Sequence, residues 1–553
     1  MRFLACVTLG WLSAAAQPYD LVLRGGRIVD GSGNPWFRGD VAIQGERLAK
    51  VGKLEGPARR TIDATGLVVA PGFIDMHSHS DFTLLVDGNA ESKIRQGVTT
   101  EIFGESESAA PLRGLALAEF ENSNRLLKLQ LDWTDLDGYF ARLRKPGVSV
   151  NVATYVAAGQ LRRCVMGAEN RAPTSREVDE MKTLAGHAMR QGALGLSTGL
   201  IYPPNSYAST GELVELARVA AAHGGVYATH MRSEGVRLLE GVQEAIAIGE
   251  KARIPVHIFH FKAAGKPAWG RLPEAVRLID EARARGVDVI ADQYPYIAGM
   301  TSLSSSLPPW AHEGGTQKLL ERLRDQTTRA RIRQAMEAEA TDWENLAQRA
   351  GGWENVLVAG VVTRKNKVYE GRRVHEMARL RGQDPFEAVC DLLLEEEGVV
   401  GAIYFLMNEN DVRYAMQQPW VSIGSDGSAV KPEGILGADK PHPRFYGTFP
   451  RVLGRYVREE KVLKLEEAIR KMTSLGAQQL GIRDRGLLRE GFFADVVILD
   501  PERVADKATF ENPHQYSEGI EYVLVNGQVT LERGRHTGTR AGKVIYGPGK
   551  GRS

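Results

Sequence analysis

Pro71-Gly72-Phe73-Ile74-Asp75-Met76-His77-Ser78-His79-Ser80-Asp81 is the stretch that decides the reading of this chain. A Pro-Gly turn opens a short apolar run, and the run ends in His-x-His. Alternate residues of a strand face one side, so His77 and His79 point together. Placed at the C-terminal end of a first barrel strand, they stand where barrel active sites lie. Two imidazoles on one face form a ligand pair for a divalent metal, most often zinc. A pair of surface histidines is the alternative, and the apolar lead-in argues against it.

Outward from this stretch, the chain alternates helical and strand-like segments from about Pro71 to Leu480. Leu272 to Arg285 reads as a helix and Val287-Asp288-Val289-Ile290-Ala291 as a buried strand. Such alternation implies βα units and a parallel sheet, and the length suits a (β/α)8 TIM-type barrel with an insertion. The two ends read differently. Tyr19 to Val69 holds short strands with glycine punctuation, Ala494 to Asp500 is a β-branched strand, and Tyr522 to Val529 is a hairpin turning at Asn526-Gly527. The expected architecture is therefore α/β: a barrel over 70–482, with a charged, helical, strand-poor insertion at about 308–399, and a small β-sandwich domain built from 17–69 and 483–553. Residues 1–16, with Arg2, an apolar run and small residues before Gln17, read as a signal peptide. That reading implies a periplasmic or secreted protein; without it the chain is cytoplasmic.

Composition excludes several classes. With 70 basic and 68 acidic residues the net charge is +2, so no nucleic-acid or membrane-surface partner is indicated. Beyond Cys6, Cys164 and Cys390 stand too far apart in sequence to argue for a disulfide or a metal site.

Further candidates sit at apparent strand ends: His230 in Tyr227-Ala228-Thr229-His230-Met231-Arg232, His260 in Ile258-Phe259-His260-Phe261-Lys262, and Asp426 in Ile423-Gly424-Ser425-Asp426-Gly427. A lone histidine at a strand end is more often structural than a ligand, and an Asp in Ser-Asp-Gly is equally a turn residue. Four histidines and an aspartate in such positions are harder to set aside.

These stretches, with His442-Pro443-Arg444-Phe445-Tyr446-Gly447-Thr448-Phe449-Pro450, resemble the amidohydrolase superfamily, and within it the D-aminoacylase branch of N-acyl-D-amino-acid deacylases. The resemblance runs from Tyr19 to about Lys543. It implies a metal-dependent hydrolase of linear amides holding one or two zinc ions through His77, His79, His230 and His260, with Asp426 as catalytic base. It also implies that Arg444 binds the substrate carboxylate, with Lys262, Tyr202 and Tyr294 sharing that task. A planar guanidinium suits a carboxylate independently of the resemblance. The implied partner is a small N-acyl amino acid.

Two departures stand out. Where the family places a serine donor after the seventh strand this chain has Met300, with Thr301 and Ser302 next to it. Where typical members place a cysteine ligand, the chain reads Gly104-Glu105-Ser106-Glu107-Ser108. A carboxylate can replace a thiolate and can bridge two metals. Glu105, directly after the glycine, is expected as the ligand; Glu107 is its rival, and two solvated loop residues are the alternative. Leu194 to Gly199 offers no lysine for a carbamylated bridge. Opening of a cyclic amide, cleavage of a D-dipeptide, and a non-catalytic carboxylate-binding relative remain competing readings.

Overall fold

The computed structural model describes residues 19–551, so the signal-peptide expectation on 1–16 lies outside the described residues. The barrel strands, first to eighth, are Phe73–Asp75, Val98–Phe103, Asn151–Thr154 continued by Val156–Ala157, Gly195–Gly199, Val226–His230, Val256–Ile258, Val289–Gln293 and Val421–Ile423. Their neighbouring pairs run parallel. Every residue of the second, fourth, fifth and seventh strands is buried, as expected for strands covered by helices on one face and packed into the barrel on the other. The helix Ser175–Gln191 shows how the outer layer is fixed: a capping box joins Thr174 and Glu177 at its start, and Met181, Ala185 and Met189 form its buried stripe.

The ring closes between the eighth and first strands, beside the His-x-His stretch. Ser78 bridges Gly427, and the Asp426 N–H donates to the His77 carbonyl at 2.8 Å. Beneath this seam lies Lys93, fully buried in a short helix. Its ammonium donates to Asp75 Oδ2 at 2.7 Å, Ser425 Oγ at 2.6 Å and the Gly427 carbonyl at 2.8 Å. One cation thus ties the first strand to the loop that carries Asp426.

Both chain ends build one nine-stranded sheet. The Val496–Leu499 strand pairs antiparallel with Val68–Pro71, joining the C-terminal half to the N-terminal half. Leu23, Ile43, Val69, Val496 and Ile498 are among the residues of its core. The hairpin turns at Asn526 and Gly527, both with positive φ (48° and 79°), the two-residue geometry that Asn-Gly favours.

Two expectations need correction. The insertion is not strand-poor: Gly299–Ser302, Val356–Val361 and Val400–Tyr404 form an antiparallel sheet, with a separate hydrophobic cluster beneath its helices. The run Val356-Leu357-Val358-Ala359-Gly360-Val361 is β-branched and apolar, a strand signal overshadowed by the charged helices before it. The unit also starts before 308 and ends after 399, because Gly299–Ser302 pairs with Val400–Tyr404. The last residues, for their part, leave the terminal sheet. Val544 bridges Val152 of the third barrel strand, and the Gly547 N–H donates to the Gly192 carbonyl.

Replacing Lys93 with Met removes the charge that balances Asp75 while leaving that carboxylate buried. Breaking a buried ion pair this way costs about 3–5 kcal/mol. Lys93→Met is therefore expected to lower the thermal unfolding midpoint by several degrees, read by circular dichroism. An unchanged midpoint would remove Lys93 from the closure of the barrel.

Candidate metal centre

Five of the residues singled out in the sequence converge at the C-terminal mouth of the barrel around one carboxylate. Glu105 follows Gly104, whose φ of +92° and close approach to the third strand (an added Cβ would lie 2.8 Å from the Tyr155 carbonyl) turn the chain inward. The Glu105 side chain then stands between two pairs of imidazoles. Its Oε2 lies 3.0 Å from His77 Nε2 and 3.2 Å from His79 Nε2. Its Oε1 lies 3.2 Å from His230 Nδ1 and 3.6 Å from His260 Nε2. Asp426 joins the first pair, with Oδ1 at 3.1 Å from His79 Nε2.

These atoms form two groups that share Glu105: His77, His79, Glu105 and Asp426, and Glu105, His230 and His260, with the ligand atoms of each group within 4.8 Å of one another. Glu107 goes elsewhere. It is well exposed and paired with Arg163, whose guanidinium also donates to the Pro203 carbonyl at 3.2 Å.

The electrostatics match a cation. Burial raises the cost of charge on Glu105, but His77, His230 and His260 outweigh it and hold its carboxyl well below the usual range. Burial likewise opposes charge on His79, yet Asp426 and Glu105 push its pKa up to about 9. Glu105 Oε1 and both ring nitrogens of His230 are buried without a hydrogen-bond partner. Buried polar atoms are nearly always satisfied, so these lone pairs converging on shared space fit one or two divalent ions.

A cavity of about 810 Å³ opens onto the centre. His79, Glu105, His260 and Asp426 reach it, with Tyr202, Phe82, Thr301, Ser302 and Trp310 among its walls. The insertion therefore builds part of the wall, through the strand that carries Met300. Arg444 is buried behind Asp426 and Met300: Nη1 lies 2.9 Å from Asp426 Oδ2, and Nη2 donates to the Met300 carbonyl at 3.2 Å. Its Nε has no partner, and its Nη1 is close to Asp426 without hydrogen-bond alignment. The guanidinium lies 4.6 Å over the Tyr294 ring. Lys262 and Tyr294 do not reach the cavity; they border a smaller space behind His260, where Lys262 Nζ donates to Glu234 Oε1 at 2.6 Å.

A family model described as "Amidohydrolase family" matches residues 60–531. The chain belongs to the amidohydrolase family. Among its relatives is a D-aminoacylase of Alcaligenes xylosoxydans xylosoxydans, 38% identical over 96% of this chain and 98% of that one. A solved N-acyl-D-glutamate deacylase from Bordetella bronchiseptica, in complex with zinc and a phosphonate that mimics the tetrahedral intermediate, superposes with a TM-score of 0.81 at 34% identity, covering 96% of this chain and all of that one. A D-aminoacylase structure described by its binuclear metal centre, with one-metal activation and second-metal attenuation, gives 0.80 at 37% identity over the same shares.

Two residues of this amidohydrolase escaped the sequence reading. Asp292, fully buried on the seventh strand, accepts the His260 N–H at 3.1 Å and lies 3.7 Å from His77 Nδ1 and 2.8 Å from His257 Nε2. Glu234, in the loop after the fifth strand, faces both His230 and His260. Neither stands in a stretch with periodic or spacing signals of its own.

Two single variants test the central carboxylate. Glu105→Gln is expected to weaken metal binding at least ~10-fold in a chelator competition, and Glu107→Gln to leave it unchanged. Equal effects, or none from Glu105→Gln, would contradict the arrangement.

Proposed function

We propose that the chain hydrolyses N-acyl-D-amino acids to a carboxylate and a free D-amino acid. The observation that carries this reading is the pair of histidine groups sharing Glu105, with Asp426 at the cavity and Arg444 directly behind it. His77, His79, His230, His260 and Glu105 would hold the divalent metal, zinc in the related deacylase structure. When bound, such an ion supplies Lewis acidity, which makes water nucleophilic near neutral pH and polarises the scissile carbonyl.

The chain's own residues do the rest. Asp426 faces the cavity through Oδ1 while Arg444 neighbours Oδ2. Burial opposes charge on Asp426, but Arg444 and His77 outweigh it and hold the carboxyl ionised, well below the usual range. In this scheme it takes that proton from the attacking water and delivers it to the amide nitrogen as the C–N bond breaks. Water adds to the carbonyl carbon, and the two products share its atoms.

Arg444 keeps unused donors just behind Asp426, which supports its role toward the α-carboxylate. Tyr294 lies beneath the guanidinium, and Tyr202 and Thr301 line the cavity. Lys262, engaged by Glu234, is two residues beyond His260 and would contribute positive potential rather than a direct contact. Thr301 and Ser302, the two residues after Met300, bring hydroxyls to the wall and would take the place of the family's serine donor.

Paired N-acetyl-D- and N-acetyl-L-amino acids test the reaction: turnover of the D series is expected, and turnover confined to the L series, or none, would overturn it. Asp426→Asn is expected to keep the metal and lose ~10²–10⁴-fold in kcat. A loss confined to KM would move Asp426 to substrate binding. Arg444→Ala is expected to cost about 1.5–3 kcal/mol, roughly 10- to 100-fold in kcat/KM, on substrates with a free carboxylate, and much less on their methyl esters. Equal losses on acids and esters would remove the carboxylate role.

A further inference from the structure

Resting on the deacylase reading above, we propose that the cavity takes D-amino-acid side chains that are uncharged and largely apolar, and that Glu107 is the specificity-determining residue that closes it to acidic ones. The space behind His260 measures about 10 Å³, room for one water, whereas the cavity in front of the centre measures about 810 Å³. The acyl group and the side chain of the substrate therefore both lie in the larger space, and its wall decides which side chains are accepted.

A second carboxylate on the substrate needs a cation of its own, since Arg444 serves the first. Among the described residues lining the cavity, Arg163 and Arg232 are the permanent cations. Arg232 is held on every nitrogen. Its Nε and Nη2 donate to Glu244 at 2.8 and 3.0 Å, and Nη1 and Nη2 donate to the Ser206 and Ala208 carbonyls, each at 2.9 Å. Arg163 is taken up by Glu107, the carboxylate that the metal centre leaves aside, and by the Pro203 carbonyl at 3.2 Å. His312 adds no charge near neutral pH: burial pulls its pKa down to about 4, and its Nε2 lies 3.0 Å from the Ser304 carbonyl.

Anions outnumber these cations on the same wall. Glu107, Glu119, Asp342 and Glu344 all line it, and the charge of Glu119 also falls on Arg163. Much of the remaining wall is apolar, including Phe82, Leu200, Ile201, Met300 and Trp310. An acidic side chain entering here sheds water and meets carboxylates instead of a free guanidinium, while a methionine or leucine side chain gains from burial. Of the two carboxylates that hold the arginines, Glu107 stands on the cavity wall itself, its side chain 42% exposed, and Glu244 does not reach it. The negative charge of Glu107 thus both cancels Arg163 and repels an incoming anion.

The test compares kcat/KM of the metal-loaded full chain on N-acetyl-D-methionine and N-acetyl-D-leucine with that on N-acetyl-D-glutamate and N-acetyl-D-aspartate. The acidic pair is expected at least ~10-fold below the neutral pair, the scale of a charged group left without a partner. Glu107→Gln keeps the size and removes the charge, and is expected to raise the acid-to-neutral ratio about 3- to 10-fold. Adding Arg163→Ala is expected to abolish that gain, which a merely loosened loop would keep. Acidic substrates turned over as well as the neutral ones overturn this inference alone. An unchanged ratio in Glu107→Gln, or a gain that survives Arg163→Ala, overturns the role given to Glu107. No turnover of any N-acetyl-D-amino acid overturns the deacylase reading and this inference with it.

Discussion

A carboxylate buried between four imidazoles is the constraint on which the mouth of this barrel depends. Glu105 is 6% exposed, and each of its oxygens faces one histidine pair. Taking an anion out of water costs several kcal/mol, and attraction to well-placed cations or protonated rings must offset it. Four segments must therefore deliver their side chains to one place: the stretch after the first strand with His77 and His79, the fifth strand with His230, the stretch after the sixth with His260, and the loop after the second with Glu105 itself. Asp426, from the eighth strand, completes the ring on the side where the barrel closes.

The backbone shows what that convergence demands. His260 and Asp426 both adopt positive φ, 37° and 49°, which residues with a Cβ rarely tolerate. Such strain persists at functional sites when surroundings over-determine it. Here the His260 N–H is held by Asp292, the Asp426 N–H by the His77 carbonyl, and the flanking Ser425 by Asp75 through both its N–H and its hydroxyl. Gly424 fits the remaining space, since a Cβ there would lie 2.7 Å from Asp292 Oδ1 and 2.8 Å from the His77 Cβ. Lys93 anchors the same network from below. The centre is thus held by buried polar contacts of the strands, while the cavity above it is walled partly by the insertion.

Much of this was legible in the sequence, for identifiable reasons. The His-x-His stretch carries its own context, a Pro-Gly turn and an apolar lead-in, and the strand-to-helix alternation around it fixes the barrel. The strand itself stops at Asp75, so His77 and His79 converge from the segment beyond it rather than from a regular pleat, yet both face Glu105. The preference for Glu105 over Glu107 follows from Gly104, whose left-handed backbone aims the next residue inward. Asp292 and Lys93 were not legible, because each acts through partners far away in sequence, and Glu234, four residues after His230, stands in no recognisable motif. Their types carry no spacing: Asp292 lies within a strand that reads as core, and Lys93 within a four-residue helix. The small sheet of the insertion was missed because Gly299–Ser302 and Val400–Tyr404 pair from either end of a long, largely helical stretch, with Val356–Val361 the strand between them.

Anomalous diffraction from crystals of the zinc-loaded chain, collected at the zinc edge, tests the shared carboxylate most directly. The account predicts density within coordination distance of Glu105: beside His77 and His79, beside His230 and His260, or on both sides with the carboxylate between. Zinc bound by the histidines with Glu105 turned away, or zinc found elsewhere in the chain, would contradict it.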